Sequence, residues 1–389
     1  MSCYKKHIKK ILPKYIIDFL KSLKAKFSNK IISNVYQTNY KRNCLIVYIT
    51  VPFRKGIASS HQNLWQVVEM ARIISSFDYN VDVIDYEYNR NHFVKKYDLL
   101  IDLHPRDNCV YQTSLKTDCI KIAYMTGSNT RFSNNAEKTR LDNLERRKHK
   151  RLIQRRSAVL ISRKIEKYNA MFFIGNKYNL QTFSEFKLPP VYFIKNNGYL
   201  LNIQGNKRSE KNFCFIGSFG QVHKGLDLLL EVFAYKCTDC NLYICSSFKE
   251  EEDFCNLYNK ELYKTKNIFP IGFINIEGEQ FKEVVEKCSY MIMPSCSEGL
   301  AGSVITAMSA GLIPIVSREC GFEDDEVIHL EDCSLECLEK TIDEYAFKNI
   351  DWINSESERV KRIVEERYSQ KCFSDSIFKA FDDVLQQKN

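Results

Sequence analysis

At 389 residues, with 44% hydrophobic and 27% charged, the chain is long enough for two ordinary domains and too apolar to be disordered. Its net charge of +9 is uneven: residues 1–30 hold nine lysines against the single acid Asp18, so the rest carries +1 and excludes a general nucleic-acid footprint. Fifteen cysteines are scattered singly, several in apolar runs, which predicts packed reduced thiols and a cytoplasmic location.

The lysine-rich arm comes first. Ile8, Leu12, Tyr15, Phe19, Leu23 and Phe27 recur at helical spacing, interrupted by Pro13. No apolar run there is long enough for a signal peptide or a membrane span. A basic amphipathic arm of this kind predicts contact with an anionic membrane surface, and hence a peripheral location on the cytoplasmic face. The alternative is a basic helix docked on the protein itself. The arm is assigned residues 1–43.

Buried-strand patterns follow at CLIVYITV (44–51), VDVIDY (81–86), YDLLIDLH (97–104), CIKIAYMTG (119–127), AMFFIGN (170–176) and PVYFIKN (190–196). A loop with Pro52 and Gly56, then a helix through Leu64 to Ile74, separates the first two. This series defines a first domain, residues 44–201. It is interrupted by a basic insert at 137–167, expected to be helical, with twelve Lys/Arg against four acids. The insert reads either as a solvated face or as a patch for phosphates or lipid head groups.

A polar linker begins at 202, and a second alternating series fills 202–370. Its strands are FCFIGS (213–218), NLYICSS (241–247), NIFPIGFI (267–274), YMIMPS (290–295) and LIPIVS (312–317). Helices are expected at 226–236, 250–264, 278–288 and 302–310. Residues 334–387 are expected to be mostly helical, with the last segment (371–389) a C-terminal helix placed to cross back to the first domain. Alternating strands and helices predict α/β architecture with two doubly wound, Rossmann-like domains and a ligand cleft at the carboxyl ends of the strands.

The richest stretch is PSCSEGLAGSVITAMSAG (294–311), between two apolar strands. Small residues after Glu298 leave backbone N–H groups at a helix start, which suits a phosphate. Glu298 itself repels phosphate and suits sugar hydroxyls. The same stretch also reads as an ordinary strand–turn–helix.

MPSCSEGLAGSVITAMSAGLIPIVS resembles the donor-site motif of GT-B glycosyltransferases, in particular glycosyltransferase family 4 (glycosyl transferases group 1). FCFIGSFGQVHKGLDLLLEVFA and NIFPIGFI are similar to other segments of that domain, and the likeness is clearest over 212–320. HQNLWQVVEMARIISSFDYNVDVIDY and KIAYMTGSN resemble bacterial polysaccharide-assembly members more weakly. The resemblance implies the GT-B fold and sugar transfer, with retention of configuration, from a nucleotide-sugar to a saccharide or lipid-linked acceptor in surface polysaccharide, lipopolysaccharide or glycoconjugate assembly.

The resemblance also implies roles. Lys224 binds the donor diphosphate and Glu298 faces the donor sugar, as the catalytic pair. Gly217, Ser218, Gly299, Leu300, Ala301 and Thr306 line the donor site. Two departures stand out: Ser218 occupies a position where many members have arginine, and Thr306 replaces a ribose-holding glutamate. His61, Asn63, His104 and Thr126 are acceptor-side candidates, with Gly127 and Ser128 beside them and His223 next to Lys224. No metal, cofactor or nucleic acid is expected. Asp324-Asp325 reads as an acidic loop, not a metal motif. The Cys237–Cys240 and Cys333–Cys337 pairs have no matching zinc-like partners. The alternatives are a weak or inactive sugar-nucleotide-binding protein at the membrane, and a UDP-sugar epimerase.

Overall fold

Two parallel sheets account for the strand series. The structure is a computed structural model and describes residues 30–57, 61–201, 203 and 209–387; the lysine-rich stretch 1–29 lies outside these. In the first sheet the strands are β1 (Arg42–Tyr48), β2 (Tyr79–Asp85), β3 (Tyr97–Asp102), β4 (Leu115–Met125), β5 (Ala170–Phe173) and β6 (Val191–Phe193). Their order is β2-β1-β3-β4-β5-β6. The second sheet holds β7 (Ser209–Ile216), β8 (Asn241–Cys245), β9 (Ile268–Phe269), β10 (Cys288–Met293), β11 (Ile313–Val316) and β12 (Ile328–His329), ordered β12-β11-β10-β7-β8-β9. The central strands are apolar on both faces, as parallel strands covered by helices must be. Every residue of β10 is buried, and Phe213 of β7 stacks on Tyr290 of β10 with ring centroids 4.8 Å apart.

The order of the second sheet fixes where a ligand can bind. From β7 the chain winds outward through β8 to β9; it then returns to β10 on the other side of β7 and winds away through β11 to β12. The loops leaving β7 and β10 therefore part at the carboxyl edge, at a topological switch point.

Two compact units are distinguished. One comprises residues up to 58 together with 63–123; the other comprises 59–62 and 124–389. β4 straddles this division. Within the second unit, the C-terminal helix Gln370–Gln386 is tied to the β6 region: Ser376 Oγ accepts from the Lys195 amide at 3.2 Å, and Gln387 Nε2 donates to the Tyr192 hydroxyl at 3.0 Å. This helix and its two predecessors, Leu335–Ala346 and Ile350–Arg367, each start on a side-chain cap: Ser369, Ser334 and Asn349.

The basic insert departs from the expected helix over 137–167. The helix runs Thr130–Lys148 and ends at His149, whose φ of 51° is left-handed. Residues 149–162 then run without regular structure, because tertiary acceptors take their amides. Glu137 accepts from the Arg155 and Arg156 N–H groups, and Asn134 Oδ1 accepts from Ala158 N at 2.8 Å. Its charges divide between ion pairs and an exposed face that keeps Lys138, Arg146 and Lys150 in solvent. Arg147 pairs with Asp227 (2.7 Å) and Glu231 (3.2 Å), Lys148 with Glu261 (3.1 Å), Arg151 with Glu145 (2.7 Å), and Arg155 with Asp253.

Smaller departures have local causes. NIFPIGFI shortens to Ile268–Phe269, since Pro270 has no N–H for the ladder and Gly272 turns with φ +101°. The loop with Pro52 contains a short helix, Val51–Lys55, with that proline in its first turn. The helix expected over 250–264 is two, Glu252–Leu257 and Asn259–Lys264. Among the described residues no helix is long and apolar enough to cross a membrane, and no cysteine is disulfide-bonded.

Candidate active site

The loop after β7 carries Lys224 to the switch point. Gly217 donates its N–H to Cys245 O at 3.0 Å, and the Lys224 stem passes over it: a Cβ on Gly217 would sit 3.2 Å from Lys224 Cδ. The middle of the loop is anchored by Glu251, which accepts from the Gly220 N–H at 2.6 Å and from the Gln221 N–H at 3.2 Å. Gln221 Nε2 in turn donates to Ser218 O at 2.8 Å, leaving Ser218 at the surface. Nothing in the sequence marked Glu251 for this role, since the donors to its carboxylate are backbone amides 30 and 31 residues away.

Glu298 arrives from the loop after β10. Its Oε1 lies 2.5 Å from Lys224 Nζ, and the Ser295 hydroxyl donates to the same oxygen at 3.2 Å. The pair is largely buried, with side-chain exposures of 7% and 12%. Burial alone would raise the Glu298 pKa, but the Lys224 ammonium, the Arg156 guanidinium and the Lys224 hydrogen bond hold it down to about 2. The carboxylate is therefore ionised at neutral pH: an acceptor of hydroxyls, not a proton donor. Because its folded pKa lies below the ordinary 4.5, its contribution to stability is complete above pH 4.5 and is lost as pH falls toward 2. Glu298→Gln is expected to remove this component, so the acid limb of a melting-temperature profile should be shallower in the variant; an unchanged slope would contradict the coupling.

His223 lies under the same loop and is 1% exposed. Its Nε2 is 2.6 Å from Ser297 O, a carbonyl that can only accept, so the proton sits on Nε2. Nδ1 has no hydrogen-bond partner among the described residues. Burial, with the Arg156 and Lys224 charges, lowers its pKa to about 4 against the pull of Glu298, so the ring is neutral.

The glycine loop is packed more tightly than a simple amide nest. A Cβ on Gly299 would lie 2.5 Å from Thr126 O, 2.8 Å from Gly127 Cα and 2.9 Å from Ile174 O. Ser128 donates to Glu298 O through its N–H (3.1 Å) and its hydroxyl (2.7 Å). Thr126, Gly127 and Ser128 are thus brought against the Glu298 loop. Gly321 has φ +82°, and a Cβ there would meet Gly299 O at 1.8 Å. Gly321→Ala is expected to break this loop and lower the melting temperature by several degrees, as a strained backbone contact of this kind costs about 1–3 kcal/mol; an unchanged melting temperature would contradict the packing.

Three donor-side residues are placed differently from a plain amide cradle. The Ala301 N–H donates to Cys320 O at 3.0 Å, so it is not an open donor. Leu300 is buried, and its carbonyl accepts from Asn196 Nδ2 at 2.7 Å. Thr306, 4% exposed on the helix Gly302–Ser309, donates its hydroxyl to Gly302 O (3.0 Å) and accepts from Gln62 Nε2 (3.3 Å). Gln62 also donates to Gly302 O at 3.0 Å. The Thr306 hydroxyl is thus already engaged by Gln62, a residue whose reach into this helix no local sequence signal announced.

The acceptor-side candidates divide. His61, exposed, shares the second unit with Thr126, and its carbonyl accepts from the Tyr199 hydroxyl at 3.3 Å. Asn63 and His104 belong to the first unit. Asn63 hydrogen-bonds the buried Tyr48, and His104, half-buried after β3, has its pKa lowered to about 4 by burial and by Arg106. A cavity of about 370 Å³ is lined by Arg140, Tyr178, Cys296, Arg318, Glu319 and Cys333, and neither Lys224 nor Glu298 lines it. Among the described residues no group of three or more His, Cys, Asp or Glu side chains converges as a metal site.

A lysine and an ionised glutamate at the switch point of a parallel sheet can bind an anion and sugar hydroxyls side by side. Residues 201–370 match the family model described as glycosyl transferases group 1. That stretch contains Lys224, Glu298 and Thr306. None of the curated proteins compared with the chain matches it. Among solved structures, the sucrose-phosphate synthase tll1590 from Thermosynechococcus elongatus is similar with a TM-score of 0.60 at 10% identity, covering 89% of this chain and 100% of that one. A glycosyltransferase from Rickettsia africae ESF-5 gives 0.59 at 11% identity, covering 89% and 99%. Anabaena Alr3699/HepE in complex with UDP-glucose gives 0.54 at 11% identity, covering 88% and 99%. The chain spans about half the length of TarM, with a TM-score of 0.52 at 14% identity over 74% of this chain and 54% of that one. At such identities these likenesses establish the fold, which is the α/β GT-B architecture expected from the sequence.

Proposed function

We propose that the chain is a glycosyltransferase that moves a sugar from a nucleotide-diphosphate sugar to a hydroxyl of a saccharide or lipid-linked acceptor. The observation that carries this reading is the buried Lys224–Glu298 pair at the β7/β10 switch point, within the stretch that matches the family model. In the reaction the anomeric carbon–phosphate oxygen bond breaks and a bond to the acceptor oxygen forms. Lys224 leaves Glu298 for the departing diphosphate and balances the charge that grows there. Glu298, released, accepts hydroxyls of the transferred sugar and fixes its orientation. Neutral His223 adds no competing positive charge beneath them.

Retention of configuration is what the resemblance of the donor-site motif implies: the acceptor attacks on the face the diphosphate leaves, and the leaving phosphate oxygen takes the acceptor proton. Transfer proceeds without a metal or cofactor in this reading, so activity is expected to survive EDTA. The acceptor is placed at a membrane because residues 1–30 are basic and amphipathic in sequence. Removing them is expected to reduce co-sedimentation with anionic vesicles while leaving sugar-nucleotide binding intact.

The test is a thermal-shift screen of sugar nucleotides followed by mass spectrometry of the products. A binding sugar nucleotide at 100 times its Kd should stabilise the protein by about 2.7 kcal/mol. Transfer to an added saccharide or lipid-linked acceptor supports the proposal. Binding without turnover supports a binding protein instead, and isomerised sugar nucleotide without acceptor supports an epimerase.

A further inference from the structure

Five of the ten cations in the stretch 130–162 pair with acids among the described residues, namely Arg131, Arg147, Lys148, Arg151 and Arg155; Arg156 is not among them, and it is the unmatched one that lies against the loop carrying Lys224. Its backbone N–H is fixed by Glu137, at 2.9 Å from Oε2, so the residue is held in place. Among the described residues its guanidinium makes no ion pair or side-chain hydrogen bond, while its neighbour Arg155 pairs with Asp253. The stem of Arg156 lies across Gly220. A Cβ at that glycine would be 2.7 Å from Arg156 Cγ, 3.0 Å from Cδ and 3.5 Å from His223 Cβ. The glycine makes room, and the guanidinium is thereby directed onto the loop that carries His223 and Lys224. Its charge acts on both Glu298 and His223.

The charge balance of the site gives this arrangement a use. Lys224 is already neutralised by Glu298, His223 is neutral, and Ser218 on the same loop carries no charge. A sugar nucleotide's diphosphate is multiply anionic, so one lysine shared with a carboxylate leaves it under-neutralised. An unpaired guanidinium, planar and five times a donor, is the group best suited to supply the remainder.

We propose that Arg156 is the second cationic ligand of the donor diphosphate, supplied by the extended segment 149–162 instead of by the loop after β7. This rests on the sugar-nucleotide reading of the Lys224–Glu298 site. Arg156 then has two effects: it tightens diphosphate binding, and it lets Lys224 exchange Glu298 for phosphate without leaving the site short of positive charge.

The experiment is calorimetric titration of UDP, GDP, ADP and CDP, with the parent nucleosides as controls, into the wild type, Arg156→Gln, Arg156→Lys, Arg151→Gln and the double variant Lys224→Met/Glu298→Gln. For the diphosphate that binds the wild type, Arg156→Gln is expected to weaken binding by about 10- to 100-fold, the loss of a charge-assisted contact. Arg156→Lys should recover part of this, Arg151→Gln should match the wild type, and nucleoside binding should not change. Melting curves check that each variant folds. If Arg156→Gln binds like the wild type while the double variant does not bind, the role of Arg156 is overturned and the Lys224 site stands. If no nucleoside diphosphate binds the wild type, or the double variant binds undiminished, the underlying reading falls as well.

Discussion

Lys224→Ala is expected to abolish sugar transfer and also to lower the stability of the protein. The first effect follows from the loss of the charge that faces the departing diphosphate; removal of one preorganised electrostatic contact of this kind lowers kcat by about 100- to 1,000-fold. The second follows from burial. Lys224 Nζ lies 2.5 Å from Glu298 Oε1, and neither side chain is more than 12% exposed. Removing the lysine strands a buried carboxylate, a loss of about 3–5 kcal/mol when one partner of such a pair is deleted. Lys224→Met combined with Glu298→Gln separates the two effects, since it leaves no unpaired charge. The double variant should regain most of the lost melting temperature while remaining inactive. Calorimetric melting and a transfer assay, run on the same three proteins, check this; a double variant as unstable as Lys224→Ala would show that the pair is not coupled.

Arg147→Ala is expected to be the most damaging change outside the site. Arg147 donates to Asp227 at 2.7 Å and contacts Glu231 at 3.2 Å, and Asp227 is fully buried at the start of the helix Leu226–Tyr235, two residues past Lys224. Without Arg147 a buried carboxylate loses its principal cation, at a cost of about 3–5 kcal/mol, or roughly 4–6 °C in melting temperature for a protein of this size. The pH dependence has a definite sign. Burial raises the Asp227 pKa to about 6 even with Arg147 and Arg140 opposing it, so stability is lost as pH rises from 3.8 through 6. Removing Arg147 extends that loss upward. The deficit relative to wild type should be larger at pH 8 than at pH 5, and a deficit that shrinks with pH would contradict the arrangement. The same substitution should loosen Lys224, because the helix that follows it is held by this contact.

Much of the fold was legible because its signals are local. The apolar runs of β1, β7 and β10 and the small residues after Glu298 each declare themselves within a dozen positions. The pairing of Lys224 with Glu298 was partly legible, since the segments carrying them resembled one domain. What escaped notice depends on distant partners. Nothing local in RRKHKR says that Arg147 meets Asp227, or that Glu137 unwinds 149–162 by taking two of its amides. Thr306 is similar: its departure from the related motif was visible, whereas the Gln62 amide that bonds it comes from a segment 244 positions earlier. Charge counting saw the insert as one basic block. The structure divides it into cations paired with acids, cations left in solvent, and the Arg156 guanidinium, which lies over the Lys224 loop without an ion pair among the described residues; that difference is what bears on function.

The most direct test of the central claim is the sugar-nucleotide dependence of transfer and binding in the wild type and in Lys224→Met/Glu298→Gln, assayed side by side. The account predicts that at least one sugar nucleotide binds the wild type and donates its sugar to an acceptor. It also predicts that the folded double variant binds that sugar nucleotide at least about 100-fold more weakly and transfers nothing, as expected for the loss of two polar contacts, Lys224 to the diphosphate and Glu298 to the sugar, of about 1.5–3 kcal/mol each. Equal binding and transfer by the two proteins would place the reaction elsewhere and contradict the account.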